Sequence, residues 1–197
     1  MSIPGTPKPY YLKDPLENAI DEFTKKETPS SADLNRVTTI ASVQAGVDKY
    51  RAAAQHMTLD QLEDEKHDCC RLGCFLEAAT GKPRPPKCHA HAIVSGGHSE
   101  AAKLRAVLAW HKLRIDDPDN GCWLPENTAA TPHPYFPKAV PHSRIHRFNY
   151  YQWLRGTIKL ETIPDQKKLR WALNFITKQL HDHTFPAYVM LPKGKGL

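Results

Sequence analysis

The chain has 197 residues, of which 40% are hydrophobic, and it carries a formal net charge of +6. This length suffices for one domain with a sizeable core, or for one domain with an extension. The composition excludes a disordered chain, and no apolar run approaches the roughly 18 residues that a membrane-spanning helix needs. The positive charge favours an anionic partner, with nucleic acid as the first candidate.

The first 82 residues are predicted to form an arm followed by helices. Residues 1–13 are rich in proline and contain no apolar segment of the kind found in secretory signal peptides, so we expect synthesis in a cytoplasm and export, if any, by another route. Apolar residues at helical spacing predict helices over 15–25, 33–55 and 58–79. We therefore expect a flexible arm over 1–13 and an N-terminal helical region over 14–82.

The remainder of the chain alternates short strands, turns and helices. Residues 88–94 and 122–124 are predicted as strands, and Asp116–Gly121 has strong turn chemistry. Helices are predicted over 99–113, 142–159 and 164–181. These elements predict an α+β fold that is mainly helical and contains a short two-stranded sheet. We assign 83–160 to a central region, 161–190 to a helix that packs on it, and 191–197 to a tail.

Five cysteines occur in a sequence without a signal peptide, so a disulfide framework is not expected. Four cysteines lie close in sequence: Cys69, Cys70, Cys74 and Cys88. Together with the neighbouring His89, they could form a structural zinc site. Their spacing fits no standard zinc ribbon, and free thiols that face a helix core are the simpler interpretation.

The eleven histidines say more about function than the cysteines do, because imidazole is the commonest metal ligand and the usual general base near neutral pH. His142 and His146 are spaced so that one predicted helix would present both rings on one face. His91 ends a predicted strand beside a Gly-Gly turn. Asn120 belongs to an Asp-Asn-Gly turn. Each residue alone has an ordinary structural explanation, but their order forms a complete assembly.

This order resembles the AHH family, a branch of the His-Asn-His and endonuclease VII superfamily found among bacterial toxin domains. The resemblance covers roughly residues 84 to 157. It is carried by Ala90-His91, Ile93-Val94, Leu104 and Leu108, Ile115-Asp116, Asn120-Gly121, Leu124-Pro125, His142, His146 and Tyr150-Tyr151. The resemblance implies a ββα-metal finger in the central region, in which two strands and a helix surround one divalent ion.

The resemblance also implies a role for each matching residue. His91, His142 and His146 correspond to metal ligands, and Asn120 corresponds to the residue that holds and orients the general base. The implied reaction is hydrolysis of a DNA phosphodiester. The ion would be Mg²⁺ or Zn²⁺, with Ni²⁺ or Co²⁺ as further candidates for imidazole ligands.

One position departs from the family pattern. The family's base is the histidine that follows the first ligand, and here that position is Ala92. We favour an engineered, inactivating substitution of a native histidine, because every other position of the motif is intact. The alternative is a divergent domain with another base, for which the candidates are His89, His98 and His133. Loss of a general base typically costs roughly 10²–10⁴-fold in rate, so we expect this form to cut poorly.

Other features give weaker expectations. Arg144, Arg147 and Lys87 are candidates for phosphate contacts, and Tyr150, Tyr151 and Trp153 are expected to pack against the core. The family resemblance also implies an antibacterial effector that is secreted by its producer and acts in the cytoplasm of a target cell. Such a protein would require an acidic immunity protein, and a secretion adaptor or carrier is a further candidate partner. Two rival functions remain open, a catalytically silent nucleic-acid-binding or interaction module and an RNase of the same fold.

Overall fold

A computed structural model describes residues 8, 9, 12–193 and 195 of the chain. The predicted arm over 1–13 falls mostly outside these residues, as does part of the predicted tail. The fold is α+β, mostly helical with one two-stranded antiparallel sheet, as the sequence predicted. Within the described residues, no helix is both long enough and apolar enough to cross a membrane.

Four helices precede the sheet: α1 Pro15–Thr24, α2 Ser31–Ala53, α3 Leu59–Glu63 and α4 Cys69–Thr80. Side chains that accept hydrogen bonds from the free amides of the first turn begin each of these helices, as the sequence of capping residues dictates. The caps are Asp14, Ser30, Thr58 and Asp68. Gly81 adopts a left-handed conformation (φ 64°) that ends α4.

The predicted single helix over 58–79 is wrong, because the chain forms two helices there. The Asp68 carboxylate accepts hydrogen bonds from the amides of Cys70 and Arg71 and so begins a new helix. Residues 64–68 form a loop between α3 and α4. A strong N-cap inside an apolar helical pattern thus outweighs the periodicity.

The sheet consists of β1 Cys88–Ala92 and β2 Gly121–Pro125, paired so that His91 lies opposite Cys122 and Ala92 opposite Gly121. Helix α5 (Ala102–Trp110) connects the two strands, and α6 (Phe148–Thr157) and α7 (Gln166–Asp182) follow them. Strands and helices of the central region share one core with α7, whose Leu169, Leu173 and Ile176 are completely buried.

The predicted helix over 142–159 begins later than expected. His142–Arg144 form only a single 3₁₀ turn, Arg147 is extended (φ −124°, ψ 164°), and α6 starts at Phe148. Ile145 is completely buried between the two histidines, which anchors this non-helical segment to the core. The prediction that one helix face presents His142 and His146 is therefore wrong.

A buried turn joins the N-terminal helices to the central region and to α7. Asp117 is 1% exposed and accepts two hydrogen bonds from Arg51 (both 3.0 Å) and two from Arg170 (2.7 and 2.9 Å). Burial acts to raise the pKa of Asp117, but the two arginines outweigh it and hold this pKa below its ordinary value. The N-terminal helices are thus fastened to the central region by a buried ionic junction.

Removal of the Asp117 carboxylate should leave Arg51 and Arg170 with Asp119 as their remaining acidic partner. We expect Asp117→Ala to lower the free energy of unfolding by about 3–5 kcal/mol, measured by urea denaturation. Asp182→Ala, which removes an exposed ion pair with Lys178 on α7, is the matched control and should have no measurable effect. Equal stability of the two variants would contradict this role for the junction.

Candidate metal centre

Three imidazoles converge beside the sheet. His91, His142 and His146 each offer one ring nitrogen, and these three atoms lie within 4.8 Å of one another. Two nitrogens bound to one zinc ion at about 2.1 Å are at most about 4.2 Å apart, so small side-chain movements would allow all three to share an ion. The structure therefore brings together the three predicted ligands, although by a loop rather than by a helix face.

The tautomer of His91 follows from its hydrogen bonds. The Tyr150 hydroxyl donates to the carbonyl oxygen of Ile93 (2.9 Å), so it can only accept from Nε2 of His91 (3.0 Å). His91 must then carry its proton on Nε2 and a lone pair on Nδ1. That Nδ1 is buried and has no hydrogen-bond partner among the described residues. A buried acceptor without a partner is costly, and a metal ion would satisfy it.

The other two imidazoles are also held through one nitrogen. Nδ1 of His146 lies 2.9 Å from the Tyr151 hydroxyl. Nδ1 of His142 lies 3.3 Å from Nδ1 of His89, whose Nε2 is 3.5 Å from the Glu126 carboxylate. In both cases Nε2 is left as the ligand atom. Partners of this kind fix the ring orientation of metal-binding histidines.

Burial makes these histidines neutral at physiological pH. Burial lowers the pKa of His91 far below its ordinary value, and the nearby His146 and His142 add to the effect. Burial, together with His142 and His98, lowers the pKa of His146 to about 4. The pKa of His142 is lowered by burial and by His89. Neutral imidazoles are the form that binds metal ions.

A cleft of about 540 Å³ opens beside the histidine cluster. His142 and His146 line this cleft, and so do Ala90 and Ala92 of β1, whereas His91 is completely buried beneath it. Side chains of a strand alternate between its faces, which puts Ala90 and Ala92 together and His91 on the other side. Position 92 therefore opens on the cleft beside two of the ligands.

Asn120 is completely buried and binds backbone groups only. Its side-chain oxygen accepts from the Val94 amide (2.9 Å), and its amide donates to the carbonyl oxygens of Val94 (3.1 Å) and Ile115 (2.8 Å). It thus holds the segment that leaves β1, two residues after position 92. Its hydrogen bonds fix the backbone around the predicted base position rather than a side chain at that position.

The predicted phosphate contacts are not gathered around the cleft. Arg144 and Lys87 are exposed but lie outside the lining of the cleft, and Arg147 donates to the carbonyl oxygen of Met190 (3.4 Å). Arg84, which does line the cleft, stands out as the basic side chain beside the site. Its side chain donates to the Cys88 carbonyl oxygen (2.8 Å), which places it next to the start of β1.

The four cysteines of the zinc hypothesis are divided between two environments. Cys88 is buried in the core, with its thiol 3.5 Å from His133, whereas Cys69, Cys70 and Cys74 are exposed. Neither a four-cysteine cluster nor the predicted inward-facing thiols of Cys69 and Cys74 is present in the described part of the chain. Asp68, Cys69 and Cys70 form an exposed group within ligand distance of one another.

The sequence profile of the AHH family, described as a nuclease family of the HNH/ENDO VII superfamily with conserved AHH, matches residues 74–182. This match covers more than half of the chain. The chain belongs to the AHH nuclease family. Neither a curated protein nor a solved structure matches it. Membership in a superfamily of nucleases that use metal ions agrees with the histidine cluster, which can hold such an ion.

Sequence reasoning assigned Tyr150 and Tyr151 to the core, and both are completely buried, as is most of Trp153 (5% exposed). It missed that the two tyrosine hydroxyls hold His91 and His146. The position of the two tyrosines, about one helical turn after the histidine pair, could have indicated this role. Glu126 and His89 were not recognised as partners of His142, because they come together only through the pairing of β1 with β2.

If Tyr150 fixes the tautomer of His91, its hydroxyl should matter for metal affinity. We expect Tyr150→Phe to weaken binding of Zn²⁺ or Co²⁺ by about 10–100-fold, measured by calorimetry. Tyr135→Phe, at an exposed position, is the control and should bind the ion like the parent. Unchanged affinity in Tyr150→Phe would show that the hydroxyl does not prepare the ligand.

The depressed pKa of His146 also predicts a pH dependence of stability in the metal-free protein. Between the ordinary value of about 6.5 and the folded value of about 4, the unfolded chain binds a proton that the folded protein does not. Stability should therefore be lost as pH falls from 6.5 to 4. In the presence of chelator, the Tm of His146→Asn should fall less over this range than that of the parent. The exposed His56→Gln should follow the parent, and parallel curves for all three would contradict the assignment.

Proposed function

We propose that this protein is a metal-dependent endonuclease that hydrolyses phosphodiester bonds of DNA. The observation that carries the proposal is the convergence of three neutral imidazoles on one point, with a buried lone pair of His91 that has no hydrogen-bond partner among the residues the structure describes. Membership in a nuclease family and a net charge of +6 support a polyanionic substrate.

The protein's own residues would divide the work as follows. His91, His142 and His146 would hold the ion, with Tyr150, Tyr151 and the His89–Glu126 pair fixing their rings. Asn120 would keep the end of β1 rigid, so that position 92 and the ligands stay in register. When bound, a divalent ion would supply stabilisation of the negative charge that develops at the scissile phosphate. The trio of imidazoles suits Zn²⁺, Ni²⁺ or Co²⁺, while Mg²⁺ is the usual ion in cellular phosphodiester cleavage.

Alanine at position 92 would leave the cleft without the base that the family pattern has there. We propose that Ala92 is an inactivating substitution of a histidine and that cleavage in this form is slow. Ala92 is 4% exposed and belongs to a cluster with Leu72 and Trp123, so an imidazole at this position has to extend into the adjoining cleft of about 540 Å³. The metal ligands and their partners are complete beside it, which favours a recent loss of one group over gradual decay of the site.

We extend the proposal to the biological setting that the family resemblance suggests. The protein would be an antibacterial effector toxin, made in a bacterial cytoplasm and active in the cytoplasm of a target cell. Its producer would need an immunity protein, acidic so as to complement the positive surface. A secretion adaptor or carrier would be a further partner.

The direct test is to restore the base. Ala92→His should nick supercoiled plasmid DNA in the presence of Mg²⁺, Mn²⁺ or Zn²⁺ at a rate about 10²–10⁴-fold above that of the parent. Ala90→His is the matched control, since it adds a histidine to the same cleft two residues earlier. It should give no such gain.

Three outcomes would contradict the proposal. If Ala92→His fails to cut with any of these ions, the chain is a silent binding module. If the Ala92→His variant and the parent cut equally fast, the role assigned to position 92 is wrong. If the variant degrades structured RNA but leaves plasmid DNA intact, the substrate is RNA.

A further inference from the structure

The three alternative bases suggested by the sequence are all engaged elsewhere. His133 is buried, with Nε2 2.8 Å from the Pro86 carbonyl oxygen and Nδ1 accepting from the Tyr135 amide. His98 accepts from the Glu100 amide through Nδ1 and lies outside the lining of the cleft. His89 lines the cleft, but it has His142 on one nitrogen and Glu126 on the other.

A fourth histidine, which the sequence did not single out, lines the same cleft. His67 lies in the loop between α3 and α4, outside the part of the chain that matches the family. Its Nδ1 is 2.5 Å from Oδ1 of Asp116, and its side chain is 28% exposed. His67 therefore combines a buried carboxylate partner with access to the cleft.

Asp116 is held so that it can orient this imidazole. Its carboxylate is completely buried, and its second oxygen accepts from the Asp68 amide (3.0 Å) and from Arg71 (2.8 and 2.5 Å). The Tyr50 hydroxyl is hydrogen-bonded to the Asp116 amide (3.0 Å) and fixes its backbone. Every oxygen of the carboxylate thus has a defined partner, and one oxygen is directed to His67.

This arrangement determines which nitrogen of His67 is free. An ionised carboxylate only accepts hydrogen bonds, so Nδ1 of His67 carries the proton that it donates to Asp116. The lone pair of a neutral His67 then lies on Nε2, which makes no hydrogen bond to any residue that the structure describes. A carboxylate that fixes the tautomer of an imidazole and leaves the other nitrogen as a base is a recurring catalytic arrangement.

Close packing against the turn after β1 holds His67 at the cleft that Ala92 also lines. A Cβ atom built on Gly96 would lie 2.8 Å from Cβ of His67 and 3.1 Å from its backbone nitrogen. Only glycine permits this approach, since real Cβ atoms do not come this close to such neighbours. Gly96 follows Ala92 by four residues, and Ser95 between them also lines the cleft. His67 thus faces the same space that a side chain at position 92 would enter.

We propose that His67 is the general base that remains when position 92 is alanine, with Asp116 as its positioning residue. The inference rests on the proposed nuclease function. Nε2 of His67 takes one proton from the attacking water as the water oxygen forms its bond to phosphorus. The bond from phosphorus to the leaving 3′ oxygen breaks, this oxygen gains a proton from solvent, and the imidazolium returns its proton to solvent. The products are a 5′ phosphate and a 3′ hydroxyl.

The proposal is tested by combining His67→Asn with both residues at position 92. Asparagine retains a donor for Asp116 but has no basic nitrogen. Plasmid cleavage is measured at saturating ion over a range of DNA concentrations, for the parent, His67→Asn, Ala92→His and the double variant. In the parent background, His67→Asn should lower kcat at least about 10-fold with KM unchanged, because the replacement removes the remaining base. In the Ala92→His background the loss should be under about 3-fold, because the second histidine supplies the base.

A pair of glycine variants tests the same placement without altering His67. Gly96→Ala should displace His67 and lower kcat in the parent background. Gly97→Ala should leave kcat unchanged, since a Cβ there meets no described atom within 4 Å. The Tm and the Zn²⁺ affinity of every variant are measured alongside, and both should stay close to the parental values in His67→Asn.

Three other outcomes would each contradict the proposed role of His67. Equal losses from His67→Asn in both backgrounds, or a fall in Tm that accounts for them, would show that the His67–Asp116 pair is structural. A parent that does not cut at all, next to an active Ala92→His, would show that His67 cannot act as a base. Absence of cleavage by Ala92→His would instead refute the nuclease proposal itself.

Discussion

The site depends on one buried polar turn, Asp116–Asn120, in which each inward side chain must find a partner. The Asp117 carboxylate accepts hydrogen bonds from Arg51 and Arg170. The Asp116 carboxylate is bonded to Arg71 and His67. The Asn120 amide donates to the carbonyl oxygens of Val94, after β1, and Ile115, before the turn. Unpaired charges and amides at this depth would cost several kcal/mol, so the turn can be buried only when the N-terminal helices, β1 and α7 all dock on it. Burial of the turn therefore requires the docking of these elements, and the same docking brings together the walls of the cleft.

In the candidate metal centre, too, buried polar atoms need hydrogen-bond partners. Burial keeps the histidines neutral, and neutral imidazoles need one donor partner and one acceptor partner each. The protein supplies one side of this requirement through Tyr150, Tyr151 and His89, and leaves the other side facing a common point. The buried lone pair of His91 is the clearest sign, because no residue in the described chain satisfies it. This arrangement leaves three ring nitrogens that can hold an ion.

Much of this could be predicted from the sequence, and the failures have physical reasons. The two strands and the mainly helical α+β fold followed from periodicity and turn signals, and the three histidines that converge beside the sheet were singled out by their order in the chain and by the family resemblance. The break at Asp68 and the extended Arg147 did not, since a cap and a buried Ile145 override helical spacing there. His67 could not be found, because its partner Asp116 is 49 residues away in sequence and only tertiary packing joins them. The residues predicted to contact phosphate do not line the cleft, because surface charge says little about which side chains reach a cleft.

The central claim is that His91, His142 and His146 hold one divalent ion, and a crystal structure of the protein grown with Zn²⁺ tests it most directly. An anomalous difference map at the zinc edge should show one strong peak at about 2.1 Å from Nδ1 of His91 and from Nε2 of the other two. A peak only at the exposed Asp68–Cys69–Cys70 group, or none at the three histidines, would contradict the account.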